Sequence, residues 1–177
     1  MKRTKAAARY AKALLELAIE QNKVDGVLGD MQFLAKTSEE TREFELLIAS
    51  PIIHPDKKIS IFEMVFEQFE TVSLSFVRLI TKNRREAHLP AIAEAFEALV
   101  KEYKGIVPIT VFTATPMDAG TRDLLIEKIQ ASVEGTLEVT EKIDESLIGG
   151  FIVRMGDVQI DASVSSQFNN LKQRLTR

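Results

Sequence analysis

Few side chains in this sequence have the type and spacing that catalysis requires. Its two histidines are His54 and His88, and a proline follows each of them within two positions. Proline restricts the backbone around it, so both histidines are predicted to lie in a loop or at a helix start. Acid pairs such as Glu39-Glu40 lie in polar segments, and a solvated surface explains them better than paired acid–base catalysis. The sequence therefore predicts no catalytic residue.

Sequence patterns that bind phosphate or metal ions are also absent. The chain contains no GxxxxGK[ST], GxGxxG or HExxH motif and no cysteine, which excludes a disulfide framework and a Cys-ligated zinc or iron–sulfur site. Gly149-Gly150 opens a predicted strand, but the Lys and Ser/Thr of a phosphate loop do not follow it. This glycine pair is therefore interpreted as a tight strand entry, and neither a cofactor nor a metal site is predicted.

The bulk composition is that of an ordinary globular protein. The chain has 177 residues, 45% of them hydrophobic and 28% charged, and a net charge of -3. This charge gives no electrostatic reason to bind nucleic acid or an anionic membrane. No uninterrupted apolar run approaches the roughly 18 residues that span a bilayer, so no direct membrane insertion is expected. The length suits one domain or two small ones.

Basic residues dominate the first fifteen positions of the chain, as they do in targeting segments. Arg9, Lys12 and Glu16 interrupt the apolar stretch that a signal peptide needs, and helical periodicity continues to Gln21. A structural first helix is therefore favoured over a targeting segment.

Helical spacing of apolar residues continues through the first 104 residues. Prolines and polar clusters divide this part into six predicted helices. They are expected at Thr4–Gln21, Val24–Thr37, around Phe44–Ile48, Ile59–Phe69, Leu74–Arg84 and Leu89–Tyr103. Short connections between such helices predict a compact bundle.

At Gly105 the apolar period changes from helical to alternating. A strand is predicted at Val107–Thr113, then a helix at Met117–Val133 that is capped by Thr115, and then a second strand near Leu137–Ile143. Two further strands flank Gly156-Asp157 as a hairpin, and a final helix carries Val164, Phe168, Leu171 and Leu175 on one side. The predicted fold is α+β, with a six-helix bundle at residues 1–105 and a small α/β domain at 106–177.

The first helix has an unusually wide apolar surface. Its charged residues fall on one narrow stripe, and apolar residues cover well over half of the circumference. One flank is formed by Ala6, Tyr10, Ala13 and Leu17. Either this helix is buried in the centre of the bundle, or it packs with one flank and offers the other to a partner helix. The residues alone favour the first alternative.

Three segments together resemble one family. Arg9–Leu14 reads RYAKAL, Asn83–Phe96 begins with NRR and continues with LPxI, and Leu137–Gly156 contains LIGGFIVRMG. In this order they resemble the delta subunits of F-type ATP synthases, which are related to the mitochondrial oligomycin-sensitivity-conferring protein. Many members have a glycine where this chain has Arg84. The resemblance covers essentially the whole chain, and the Leu137–Gly156 segment is its most specific part.

The resemblance implies a non-catalytic peripheral-stalk subunit of the proton-translocating ATP synthase. One copy would link the catalytic head to the b subunits, on the cytoplasmic side of a bacterial plasma membrane. The N-terminal domain would receive the N-terminal helix of an alpha subunit in a groove between helices 1 and 5, and the C-terminal domain would meet the C-terminal ends of the b subunits. The groove residues would be Ala6, Tyr10, Ala13, Leu17, Phe76, Leu79 and Ile80.

Two other functions fit parts of the same pattern. A small nucleotide-using enzyme is disfavoured because the phosphate loops are missing. A helical scaffold or adaptor unrelated to ATP synthase would share the composition and the first-domain pattern, and the Leu137–Gly156 segment argues against it.

The groove hypothesis predicts that Ala13→Glu weakens binding to the catalytic head and leaves the fold intact, because a carboxylate would enter an apolar interface. Co-elution with the head measures binding, and circular dichroism measures the fold. Unfolding of this variant would instead assign Ala13 to the core.

Overall fold

A computed structural model describes residues 5–131, 133, 135–156 and 158–175. The chain forms two compact units, Met1–Val100 and Lys101–Arg177. The first is helical and the second combines helices with a sheet, which confirms the predicted α+β class. The division lies within the last helix of the first unit, so the predicted domain boundary after residue 105 stays a prediction.

Six α-helices and one short 3₁₀ helix make up the helical part. Their bounds are α1 Lys5–Glu20, α2 Val24–Glu40, α3 Arg42–Ala49, α4 Pro55–Val65, α5 Thr71–Lys82, the 3₁₀ helix Glu86–His88, and α6 Leu89–Tyr103. Pro55 stands in the first turn of α4, where its missing N–H is not needed. The predicted fourth helix was too long at its end, since α4 stops at Val65 and Phe69 lies beyond it.

The end of α5 explains why its predicted bound at Arg84 is wrong. Asn83 ends the helix, and Arg84 adopts φ 56°, a left-handed conformation that favours glycine. The Arg85 N–H then donates to the Ile80 carbonyl at 3.0 Å, and the Arg84 N–H donates to that of Thr81 at 2.9 Å. These bonds close the helix end in the manner of a Schellman motif, with arginine in the position that glycine usually takes.

The core of the helical unit combines small and aromatic side chains. Ala7, Ala11 and Ala18 of α1 are fully buried, so neighbouring backbones can approach α1 closely. A group of rings fills the space near α3 and α4 with edge-on and stacked contacts, formed by Phe44, Phe62, Phe66 and Phe69.

A buried ion pair joins three segments of the helical unit. The Lys58 side chain of α4 is 1% exposed, and its Nζ donates to Glu86 Oε1 at 2.5 Å. The same ammonium donates to the carbonyls of Ser50 at 2.7 Å and Ile48 at 3.2 Å, at the end of α3. One cation therefore ties α4 to the end of α3 and to the 3₁₀ helix. The sequence pattern did not indicate that Lys58 and Glu86 form a buried ion pair.

The second unit is a four-stranded mixed sheet with two helices. Its elements are β1 Ile106–Thr113, α7 Ala119–Gln130, β2 Thr136–Ile143, β3 Phe151–Met155, β4 Val158–Asp161 and α8 Val164–Leu175. The strand order is β2-β1-β3-β4, with β1 parallel to β2 and the other pairs antiparallel. The crossover from β1 to β2 contains α7, and a small core lies around Ile109, Val111 and Val153.

The structure corrects the start of the α7 helix. Asp118, and not Thr115, caps it, because the Asp118 carboxylate accepts from the Thr121 N–H at 3.1 Å. The β3–β4 hairpin is confirmed. The predicted turn residue Asp157, the Thr4 start of the first helix and the side chains of Leu171 and Leu175 lie outside the described residues.

Gly150 occupies a position that no other residue fits. Its φ is 79°, and an added Cβ would lie 2.4 Å from the Ala162 carbonyl oxygen. The interpretation of Gly149-Gly150 as a tight strand entry is therefore confirmed: the Ala162 backbone crosses directly against this glycine.

We expect Lys58→Met to lower the free energy of unfolding by about 3–5 kcal/mol, because it leaves the buried Glu86 carboxylate without its cation. Urea denaturation measures this change. The matched control is Lys23→Met, which breaks the Lys23–Glu70 pair, whose side chains are 42% and 36% exposed. The control should lose at most about 1 kcal/mol. Equal losses in the two variants would contradict the role of Lys58 in joining α3, α4 and the 3₁₀ helix.

Candidate partner-binding surfaces

Only one stripe of α1 is buried. The buried residues follow helical spacing and are Ala7, Ala11, Leu14, Leu15 and Ala18, while the charged stripe from Lys5 to Glu20 faces solvent. The helix contacts both α2 and α5. The alternative in which α1 is buried on every side is therefore wrong for the described chain.

The predicted flank of α1 lies beside this buried stripe. Ala13 and Leu17 are exposed, Leu17 by 44%, and Ala6 and Tyr10 are half-buried. Tyr10 also packs against the core. The four residues therefore form an apolar surface on this flank that is partly open to solvent. The opposite flank also reaches solvent, where Ala8 is exposed and Ile19 is 36% exposed.

The three predicted residues of α5 divide into two groups. Leu79 is 53% exposed, whereas Phe76 is 6% exposed and Ile80 is fully buried. Phe76 and Ile80 are one helical turn apart and belong to the core of the free unit, so they present almost no surface. Of the three α5 residues predicted for the groove, Leu79 is therefore the one that is exposed at the surface. Partner contact by any of the seven residues stays a prediction.

The neighbouring side of α5 is occupied by another helix. Arg78 Nε donates to Glu63 Oε1 of α4 at 2.6 Å, and the two helices are in contact. Consecutive helical residues point about 100° apart. Arg78 therefore turns toward α4 while Leu79 points elsewhere, which leaves Leu79 uncovered.

Two groups of exposed apolar residues lie in the C-terminal unit. Val158 and Ile160 on the edge strand β4 are 55% and 54% exposed. On α8, Val164 and Phe168 are four residues apart on one face and are 48% and 66% exposed. The sequence showed the helical spacing of α8 but not that this face is open.

Asp161 fixes the start of α8 at the point where β4 leads into this helix. It accepts from the Ser163 N–H at 2.8 Å and from Ser166 Oγ at 2.7 Å. The hydroxyls of Ser163 and Ser166 and the Ser163 N–H hold the pKa of Asp161 below its usual range. Side-chain and backbone bonds from Thr121 lower the pKa of Asp118 in the same way at the start of α7.

The residues considered for chemistry are dispersed. His54 lies at the start of α4 with its Nδ1 3.2 Å from Asp56 Oδ2, and both side chains are largely exposed. Within the described ranges, no group of three His, Cys, Asp or Glu residues is arranged to hold a metal ion. No helix in the part of the chain that the structure describes is long and apolar enough to cross a membrane.

The chain matches one known family along nearly its whole length. Residues 6–175 match the family described as ATP synthase delta (OSCP) subunit. The chain belongs to this family. The resemblance inferred from the three segments Arg9–Leu14, Asn83–Phe96 and Leu137–Gly156 is thereby confirmed.

Individual relatives cover the whole chain. The "ATP synthase subunit delta" of Cytophaga hutchinsonii is 35% identical over 99% of this chain and 97% of its own length. That of Flavobacterium psychrophilum is also 35% identical, over 99% of both chains. A chain in the cryo-EM structure of the Toxoplasma gondii mitochondrial ATP synthase hexamer is 21% identical, with a TM-score of 0.73 over 98% of this chain and 99% of its own. This last likeness supports the fold.

We expect Asp161→Ala to lower the melting temperature at neutral pH, because the first turn of α8 loses the bonds from the Ser163 N–H and the Ser166 hydroxyl to this carboxylate. A carboxyl with a lowered folded pKa stabilises the fold above its unfolded pKa of about 4 and loses this effect as the pH falls through the folded value. The difference between wild type and variant should therefore shrink in acid. Thermal unfolding by circular dichroism measures it, and a difference that stays constant down to the lowest pH at which both chains fold would contradict this role.

Proposed function

We propose that this chain is a non-catalytic stator subunit, which links the catalytic head of an F-type ATP synthase to its b subunits. Its membership in the ATP synthase delta family over residues 6–175 carries the proposal. ATP chemistry belongs to other subunits in this account. The chain sits as one copy on the cytoplasmic side of the bacterial plasma membrane, held there by its partners.

The helical unit binds the N-terminal helix of an alpha subunit between α1 and α5. The exposed apolar residues Ala13, Leu17 and Leu79 support this assignment, since helices α1 and α5 contact each other. An amphipathic helix can bind such a surface by packing its apolar face against the exposed apolar residues. The small Ala6 and Ala13 side chains permit close approach, and Phe76 and Ile80 form the buried wall beneath.

The C-terminal unit binds the C-terminal ends of the b subunits. The exposed residues of β4 and α8 support this part, because Val164 and Phe168 give α8 an apolar face that is 48% and 66% exposed at these two positions. Asp161 sets the direction in which α8 leaves the sheet. A helix from a partner would bury this face by the same helix-to-helix packing.

Two separate contacts suit a subunit that must resist rotor torque. When one contact opens, the other keeps the partner at a high effective concentration, and the combined avidity can exceed either affinity by about 10²–10⁴. Rotor torque then acts on the catalytic sites instead of turning the whole head.

We expect Leu79→Glu to weaken binding to a catalytic head that lacks its delta subunit by at least about tenfold, or ~1.4 kcal/mol. A carboxylate in the groove would be desolvated without a partner. Size-exclusion co-elution over a concentration series measures the change, and a peptide with the alpha-subunit N-terminal sequence should compete with the wild-type chain.

The matched control is Leu46→Glu on α3, where the leucine is 61% exposed and lies outside the groove. It should bind as the wild type does. Equal binding by Leu79→Glu and wild type, or no competition by the peptide, would contradict the proposed groove. No co-elution of the wild type at micromolar concentration would contradict the stator function itself.

A further inference from the structure

Two adjoining clefts lie on the helical unit, and neither of them includes a residue of α1 or α5. Their volumes are about 270 Å³ and about 370 Å³. Ile48, Ala49 and Ala87 line both, so the clefts form one groove between the end of α3 and the 3₁₀ helix. This groove, called here the α3 groove, is separate from the proposed alpha-subunit site.

The larger cleft has an apolar floor and an acidic rim. Pro90 is buried and Ala35 is half-buried in its floor. Glu39 of α2, Glu45 of α3 and Glu94 of α6 line its edge, and all three are exposed. None of the ion pairs found among the described residues includes these three carboxylates.

The smaller cleft contains a buried acceptor that lacks a donor. Glu86 lines this cleft, and its side chain is only 10% exposed. Oε1 accepts from Lys58, but Oε2 is buried and accepts no hydrogen bond from any described residue. A buried carboxylate oxygen normally has a hydrogen-bond partner, so an uncharged donor of a bound segment, such as a backbone N–H, would complete the bonds of Glu86 at this end of the groove.

We propose that the α3 groove binds a protein segment that carries an arginine side chain. The aliphatic stem of such a side chain packs on the apolar floor while its cationic head reaches the acidic rim. Arg84 lines the smaller cleft and repels a cation there. The cationic group therefore enters the larger cleft, among carboxylates from three different helices.

The chemistry of the rim favours a side chain over a metal ion. No three of the described acids and histidines come together closely enough to coordinate a metal. Carboxylates spread around a cleft instead suit the planar, multi-donor head of an arginine, which can reach several acceptors at once.

Fluorescence anisotropy on the full chain tests the proposal. The probe is a short labelled peptide that contains arginine and is blocked at both ends, and its partner probe carries neutral citrulline at the same positions. We expect the arginine peptide to bind at low salt and the citrulline peptide to bind at least about tenfold more weakly.

A double variant of the rim locates the binding. Glu45→Gln with Glu94→Gln should raise the Kd of the arginine peptide roughly five- to tenfold, since two exposed ion pairs are lost. The control, Glu43→Gln with Glu67→Gln, removes the same charge from two exposed acids that do not line the groove. The control should change the Kd less than about twofold.

Three results would overturn the proposal: equal losses in the two double variants, equal binding of the arginine and citrulline peptides, or no binding at millimolar peptide. The Glu→Gln substitutions lie at exposed positions, so circular dichroism should show the wild-type fold for both double variants. Binding of the chain to the catalytic head provides a separate readout of the stator function.

Discussion

The helical unit depends on a narrow line of contact along its first helix. Ala7, Ala11 and Ala18 are fully buried, and Leu14 joins them on the same stripe. Small side chains let the neighbouring helices approach closely, so a stripe of limited width is enough to hold α1 in place. Leu15 is also buried and Tyr10 packs against this core, whereas Ala13 and Leu17 are exposed. The apolar flank of α1 can therefore meet another protein without any change in the packing beneath it.

Periodicity predicted the elements well, because most of them carry apolar residues at the spacing of a helix or a strand. The six helices, the change to strands after Gly105 and the β3–β4 hairpin all follow from apolar spacing. Periodicity could not decide whether an apolar face meets the core or a partner. Phe76 and Leu79 both looked suitable for a groove, and only the packing of α5 shows that Phe76 is buried and Leu79 is exposed.

The buried Lys58–Glu86 pair could not be predicted for a different reason. Charged residues are rarely buried, and these two are 28 positions apart in the sequence. They meet because α3, α4 and the 3₁₀ helix converge, and the ammonium then completes its bonds with two carbonyls at the end of α3. The cap of α7 shows the same limit on a smaller scale, since Thr115 and Asp118 are both good cap residues and only the observed bond to Thr121 distinguishes them.

The central claim is that one flank of α1 faces the catalytic head, and thiol protection tests it most directly. The chain has no native cysteine, so Ala13→Cys and Ala8→Cys each place one reactive thiol on an exposed position of opposite flanks. Alkylation rates are measured with and without the catalytic head. The account predicts that the head slows alkylation at position 13 strongly and at position 8 little. Protection at position 8 alone, or equal rates at position 13 with and without the head, would contradict it.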